Sequence, residues 1–233
     1  MTRKLAFLIR HGDYAQRIGA PSALQPFALT AKGHEQAKAA GQDIAKTLKS
    51  NDWHLSPTVH CSRQLRAWQT ARGIVDSLVE NCGISCELIE DEALAERSVG
   101  ALANLTTDDI EQVIANDPRH DALPEGWKSN SHFKLPMQGA ESLMEAGKRV
   151  AAYLTAHMTT LPASEQTQAL LFVGHGASFR HAAHVLGVLD YDDIDRLSMH
   201  HARPIVLEHH PDETWTHIGG DWKSRRQNET PAD

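Results

Sequence analysis

The stretch Leu5-Ala6-Phe7-Leu8-Ile9-Arg10-His11-Gly12 decides how this chain is read. An unbroken apolar run of strand length is the pattern of a strand buried on both faces. The run ends abruptly, and its carboxyl end delivers a cation, an imidazole and a flexible turn to one point. In open α/β sheets the carboxyl ends of strands are where ligands bind. A histidine there can act as a nucleophile, and an adjacent arginine can hold an anion in a bidentate fork. A second apolar run, Leu170-Leu171-Phe172-Val173, ends in Gly174-His175-Gly176. Two strands that each end in histidine and glycine predict one site with two imidazoles.

Working outward, the pattern alternates as an α/β fold requires. Strands are predicted over residues 4–9, 58–61, 85–89 and 169–173, and helices over 31–48, 64–79, 107–115, 141–158 and 178–186. Thr30 is the expected N-cap of the first helix, whose inner face carries Ala37, Gly41, Ile44 and Leu48. A pair of strands over 204–209 and 214–218 reads as an edge hairpin. Residues 102–140, with Pro118, Pro124 and Pro136, are less regular and read as a lid-like insertion over the site. The expectation is one domain over residues 1–222, followed by a disordered polar tail over 223–233.

With 41% hydrophobic residues the chain can bury a sizeable core, and its formal net charge of -7 argues against a nucleic-acid partner. Any cationic site must therefore be local. Three cysteines, Cys61, Cys82 and Cys86, make neither a disulfide framework nor a Cys-x-x-Cys pair. No apolar run approaches the roughly 20 residues needed to span a bilayer. Arg3 and Lys4 lead straight into the first strand without signal-peptide architecture. The expected compartment is the reducing cytoplasm, with no membrane partner. Oligomeric state is not readable.

A third segment joins the two strand ends. Cys61-Ser62-Arg63-Gln64-Leu65-Arg66-Ala67 follows the second strand, and Gln69-Thr70-Ala71 continues the helix. Arg66 lies near a helix N-terminus, which itself favours an anion. Arg10, His11, Arg66 and His175 can therefore converge on one phosphate, whereas Arg63 has no assignable role and reads as a solvated charge. These three spaced motifs resemble the histidine phosphatase superfamily, also called phosphoglycerate mutase-like. Shorter matches lie at Leu29-Thr30-Ala31-Lys32-Gly33-His34-Glu35-Gln36-Ala37, at Leu94-Ala95-Glu96-Arg97 and at Gly139-Ala140-Glu141-Ser142-Leu143.

The resemblance implies a three-layer α/β/α sandwich on a mostly parallel sheet. It implies that His11 attacks phosphorus and becomes a phosphohistidine. Arg10, Arg66 and His175, with the turns at Gly12 and Gly176, then form the phosphate-binding set. Neither metal nor cofactor is implied. This agrees with the chemistry, since phosphoryl transfer depends mainly on positioning and on neutralising the equatorial oxygens. His11 must be neutral to attack, while His175 is expected to be held charged by a dianionic phosphate. Glu96, within Glu96-Arg97-Ser98-Val99-Gly100-Ala101-Leu102, is the candidate acid for the leaving oxygen, and Asp13 is the alternative.

The family divides by what accepts the phosphoryl group. The loop Asp13-Tyr14-Ala15-Gln16-Arg17-Ile18-Gly19-Ala20, and Ala177 after the second His-Gly, depart from the mutase pattern. The Glu96 segment resembles the mutases. The balance favours a phosphomonoesterase acting on a small anionic ester or a phosphoprotein, with phosphoglycerate mutase as the alternative and a non-catalytic binding module as a third reading. Trp127, His132, Phe133 and Lys134 either contact the leaving group or pack the insertion. The C-terminal histidines His200, His201, His209, His210 and His217 match no structural zinc spacing and read as surface residues, with His200 or His201 able to face the pocket rim.

Overall fold

A computed structural model describes residues 3–162 and 164–225. The elements are β1 (Lys4–Arg10), α1 (Ala31–Asn51), β2 (His54–Ser62), α2 (Leu65–Cys82), β3 (Glu87–Asp91), α3 (Thr107–Ala115), α4 (Leu143–Thr160), β4 (Gln168–Gly174), α5 (Gly176–Val185), β5 (Leu197–Ser198), β6 (Pro204–His209), β7 (Trp215–Gly219) and β8 (Lys223–Ser224). Six strands form one sheet in the order β3-β2-β4-β1-β6-β7. The first four are mutually parallel, and β6 and β7 add antiparallel at one edge. The fold is therefore the α/β class, on a mostly parallel sheet.

Leu5 to Ile9 are all buried, because apolar clusters cover both faces of the sheet. One cluster sets Phe7 and Ile9 with Val59 and Leu171 against Ile44 of α1 and Ile74 of α2. The other sets Leu8 and Phe172 against Val150 and Leu154 of α4 and Phe179 of α5. The side chain of Thr30 accepts the Gly33 N–H and caps α1. Ala37, Gly41, Ile44 and Leu48 are buried on its inner face.

The sheet register builds the site. Arg10 pairs with Gly174 across β1 and β4, so the next residues of the two strands, His11 and His175, emerge side by side. The His11 N–H extends the ladder by one bond to the Gly174 carbonyl (2.9 Å). Backbone crosses backbone closely just beyond. A Cβ on Gly12 would lie 2.6 Å from the Gly33 carbonyl oxygen, and one on Gly33 would collide with the Asp13 carbonyl. Gly33→Ala is expected to destabilise the fold by about 2 kcal/mol or more, because two backbone segments must separate. Denaturant unfolding measures it; an unchanged midpoint would show that the crossing is not tight.

Residues 102–140 carry a small core of their own, in which Leu102, Ile110, Ile114, Trp127 and Leu135 pack with Ala23 of the loop after β1. The Thr107 N–H bonds the Gly19 carbonyl and Arg17 bonds the Asn104 carbonyl, so the insertion and that loop move as neighbours. The first residues of the expected disordered tail, Lys223 and Ser224, are instead in a strand. Lys223 and Ser224 pair antiparallel with Leu197 and Ser198, a two-residue ladder too short to leave a pattern in sequence. The remainder of that tail, 226–233, lies outside the described residues. Among the described residues no helix is long and apolar enough to cross a membrane. The three cysteines are free thiols.

Candidate active site

The nucleophile candidate is defined by its hydrogen bond. His11 is 1% exposed, and its Nδ1 lies 2.8 Å from the Gly12 carbonyl oxygen. A carbonyl can only accept, so Nδ1 carries the proton and Nε2 keeps its lone pair. Burial holds the imidazole well below its ordinary pKa, and the neighbouring Arg66, His175 and Arg10 lower it further. The ring is therefore neutral at neutral pH. Tyr14 meets it edge-on with centroids 5.1 Å apart, and His175 and His201 flank it at 5.2 Å and 5.7 Å.

Arg66 is the second residue of α2 and fully buried. Its guanidinium lies 4.6 Å over the Tyr14 ring and donates to the carbonyls of Gln25 (2.8 Å), Ser22 (3.1 Å) and Ala23 (3.0 Å). Nη2 also donates to Nδ1 of His175 (3.2 Å), while buried Nε has no hydrogen-bond partner among the described residues. Thr70, one turn on, accepts the Gly12 N–H (2.9 Å) and donates to the Arg66 carbonyl (2.7 Å), tying the turn after β1 to α2.

His175 is the N-cap of α5, and its hydrogen bonds define its proton. Arginine offers no acceptor, so Nδ1 of His175 must be unprotonated, and Nε2–H donates to Ser62 Oγ (2.9 Å). Burial, with Arg66 and Arg10 beside it, holds this ring well below its ordinary pKa too. In this arrangement His175 is neutral, and the charge expected with a dianionic phosphate requires Arg66 to release Nδ1. Arg10 sends Nη1 to the Met199 carbonyl (3.1 Å). A Cβ on Gly176 would lie 3.1 Å from Arg10 Cδ and Nε, so a glycine there lets the side chain cross the start of α5.

Glu96 is 3% exposed. Its Oε1 accepts the N–H groups of Arg97 (2.9 Å) and Ser178 (3.0 Å), and its Oε2 accepts that of Ala177 (3.2 Å). The carboxyl group thus sits on the N-terminus of α5 and accepts from N–H groups that have no partner within the helix. Arg149 braces the approach, pairing in bidentate fashion with Glu141 and donating to the Ala93 and Ala95 carbonyls. The Asp13 carboxylate is turned elsewhere: its Oδ2 accepts from Thr30 Oγ1 (2.7 Å) at the cap of α1.

The structure thus gathers Arg10, His11, Gly12, Arg66, His175, Gly176 and Glu96 and leaves Asp13 at the α1 cap. Sequence reading assigned no site role to three neighbours. Ser62 stands inside a quoted motif and Thr70 one helical turn after Arg66, so both had a local signal, whereas Tyr14 had none beyond its nearness to the motif. Of the two histidines read as able to face the pocket rim, His201 lies against the His11 ring. Arg63 is exposed, in keeping with a solvated charge. The side chains of the insertion pack it: Trp127 is 3% exposed with Nε1 donating to Glu111, His132 stacks on Tyr191, Phe133 joins the insertion's core, and Lys134 pairs with Glu145. His210 and His217 bond within the β6–β7 hairpin, and His209 lies against Trp215. Among the described residues no group of three or more His, Cys, Asp or Glu is placed to hold a metal ion.

Buried neutral histidines make stability depend on acid. Burial also depresses His60, beside Tyr153 and His157, to about 4, and His181, between Ser131 and the Ala177 carbonyl, to about 4. The unfolded chain takes these protons first, so their contribution is complete above pH 6.5 and is lost as pH falls toward 4. The loss is at most about 3 kcal/mol for each of these two rings, with His11 and His175 adding to it. Urea midpoints between pH 7 and pH 4 measure this; a flat profile would contradict it.

Fold and site together describe an α/β protein with two imidazoles and two guanidinium groups gathered at the carboxyl edge of a parallel sheet. The chain belongs to the histidine phosphatase superfamily (branch 1), whose model matches residues 6–218. A 2,3-bisphosphoglycerate-dependent phosphoglycerate mutase of Chelativorans sp. is 32% identical over 188 residues, covering 80% of this chain and 82% of that protein. The protein of the same name from Brucella ovis is 30% identical over 216 residues, covering 92% and 96%. Among solved structures, the phosphoglycerate mutase of Bacillus anthracis superposes with a TM-score of 0.70 at 17% identity, covering 94% of this chain and 93% of the other. A mycobacterial glucosyl-3-phosphoglycerate phosphatase superposes with a TM-score of 0.64 at 19% identity, covering 96% and 98%. These structural likenesses concern the fold.

Proposed function

We propose that this protein is a phosphomonoesterase that works without metal through a phosphohistidine on His11. The observation that carries the reading is the His11 tautomer: the Gly12 carbonyl takes the Nδ1 proton and leaves a neutral Nε2 lone pair among Arg10, Arg66 and His175. That lone pair attacks phosphorus as the P–O ester bond breaks. The guanidinium groups carry the charge of the equatorial oxygens, with the Arg66 Nε–H as one donor. Glu96 protonates the leaving oxygen, through Oε2, which has the single longer backbone contact. Water then attacks the phosphohistidine and gives its proton back to Glu96, releasing phosphate and neutral His11. Asp13, committed to Thr30, is the weaker acid candidate.

Two features support hydrolysis over isomerisation. Ala177 offers no polar side chain after the second His-Gly, unlike the mutase pattern, and two cations of the insertion, Arg119 and Lys134, are paired at the surface with Asp117 and Glu145. The second reading, phosphoglycerate mutase, rests on the named relatives and on Arg97. That residue is buried beside Glu96, with Nη1 lacking a hydrogen-bond partner among the described residues.

The deciding assay compares p-nitrophenyl phosphate with 3-phosphoglycerate, the latter with and without 2,3-bisphosphoglycerate. Phosphate release without isomerisation is expected, and conversion to 2-phosphoglycerate would establish the mutase. A chelator is expected to leave the rate unchanged. Glu96→Gln is expected to slow alkyl esters about 100-fold and p-nitrophenyl phosphate far less, because a nitrophenolate leaves without a proton. Equal slowing of both would remove Glu96 from the acid role.

A further inference from the structure

His201 is the one member of the C-terminal histidine group that reaches the nucleophile. Its ring stacks on His11 with an interplanar angle of 30° and centroids 5.7 Å apart. The backbone shows how this contact is enforced. Ala202 adopts φ of +51°, in the left-handed region, and is 4% exposed. Its N–H donates to the carbonyl of Arg10 (2.8 Å), while Arg10 Nη1 holds the Met199 carbonyl (3.1 Å). A non-glycine residue keeps such a conformation only where its surroundings over-determine it. Here the carbonyl and side chain of one active-site arginine pin both ends of the turn that carries His201.

We propose that His201 is a positioning residue that presents the π face of its ring to His11 and stabilises the positive charge that the His11 ring acquires as the N–P bond forms. The proposal rests on the phosphohistidine reading. When the Nε2 lone pair attacks phosphorus, Nδ1 keeps its proton. The ring becomes an imidazolium bearing the phosphoryl group, and the ester oxygen leaves with the P–O electron pair. The guanidinium groups of Arg10 and Arg66 suit the phosphoryl oxygens but oppose charge on the ring. The Gly12 carbonyl and the face of an aromatic neighbour favour it. Tyr14 supplies an edge-on contact at an interplanar angle of 90°, and His201 supplies the stacked face.

The test is single-turnover formation of acid-labile phosphoenzyme in the full chain, using 32P-labelled aryl phosphate, for wild type, His201→Ala, His201→Phe and His201→Lys. His201→Ala is expected to slow phosphoenzyme formation about tenfold with KM within about twofold, since the lost contact acts on the charged ring rather than on substrate. His201→Phe is expected to recover to within about threefold of wild type, and His201→Lys to be slower than His201→Ala. Thermal midpoints separate folding defects from this effect. If His201→Ala does not fold, the Phe and Lys variants, both of which fill the space, carry the comparison. A wild-type rate in His201→Ala, or a His201→Lys rate at or above that of His201→Phe, would overturn the proposal. Labelled wild type with indifferent His201 variants defeats only this inference. Unlabelled wild type defeats the phosphohistidine reading and the inference with it.

Discussion

His11→Ala is expected to abolish phosphoenzyme formation and to lower kcat/KM by about 10⁴-fold or more, the scale on which a covalent nucleophile acts. His175 cannot take over. Both nitrogens of His175 are engaged, Nδ1 by Arg66 and Nε2 by Ser62, and its ring is as deeply buried as that of His11. The variant should fold, because the deletion removes one bond to the Gly12 carbonyl and leaves the β1–β4 ladder intact. Steady-state rates on p-nitrophenyl phosphate, together with the thermal midpoint, check both halves. Residual turnover within about 100-fold of wild type would mean that another group forms the intermediate or that none is formed.

The second large effect is expected at Arg66, which performs two tasks with one guanidinium. In the proposed mechanism it presents charge to the phosphoryl group, and it holds the loop after β1 through the Ser22, Ala23 and Gln25 carbonyls. Lysine keeps the charge but loses the fork, so Arg66→Lys cannot satisfy three carbonyls and a phosphate together. The expected loss is about 10³-fold in kcat/KM, with about 2–4 kcal/mol of stability from carbonyls left unpaired in a buried place. Hydrogen exchange should show the loss of protection concentrated over residues 20–25. Kinetics within about tenfold of wild type would show that Arg66 is a structural clamp and not part of the phosphate site.

Much of this was legible because the informative residues sit at the ends of unbroken apolar runs. Leu5–Ile9 and Leu170–Val173 had to be central parallel strands, and a histidine after each had to reach the same edge. The hairpin near the C-terminus and the cap at Thr30 were also legible, since both follow from short-range backbone chemistry. Other features were not. Glu96 could be singled out by its segment, but its seat on the α5 N-terminus depends on Arg149 bracing a loop from a distant helix. The proton on His175 depends on which lone pair Arg66 reaches, a matter of angstroms that no spacing encodes. Trp127 and Phe133 could equally have lined a substrate pocket, and only packing against Ile110, Ile114 and Ala23 assigns them to the insertion's own core.

The sequence by itself determined the α/β class, the order of the central elements and the set of cations and imidazoles that meet at the sheet edge, because apolar periodicity and strand-end chemistry are local. Only the tertiary structure decided the tautomers of His11 and His175, the turning of Asp13 toward Thr30 and the stacking of His201 on His11. Each of these rests on contacts between segments far apart in the chain, whose geometry exists only once the parallel register has closed.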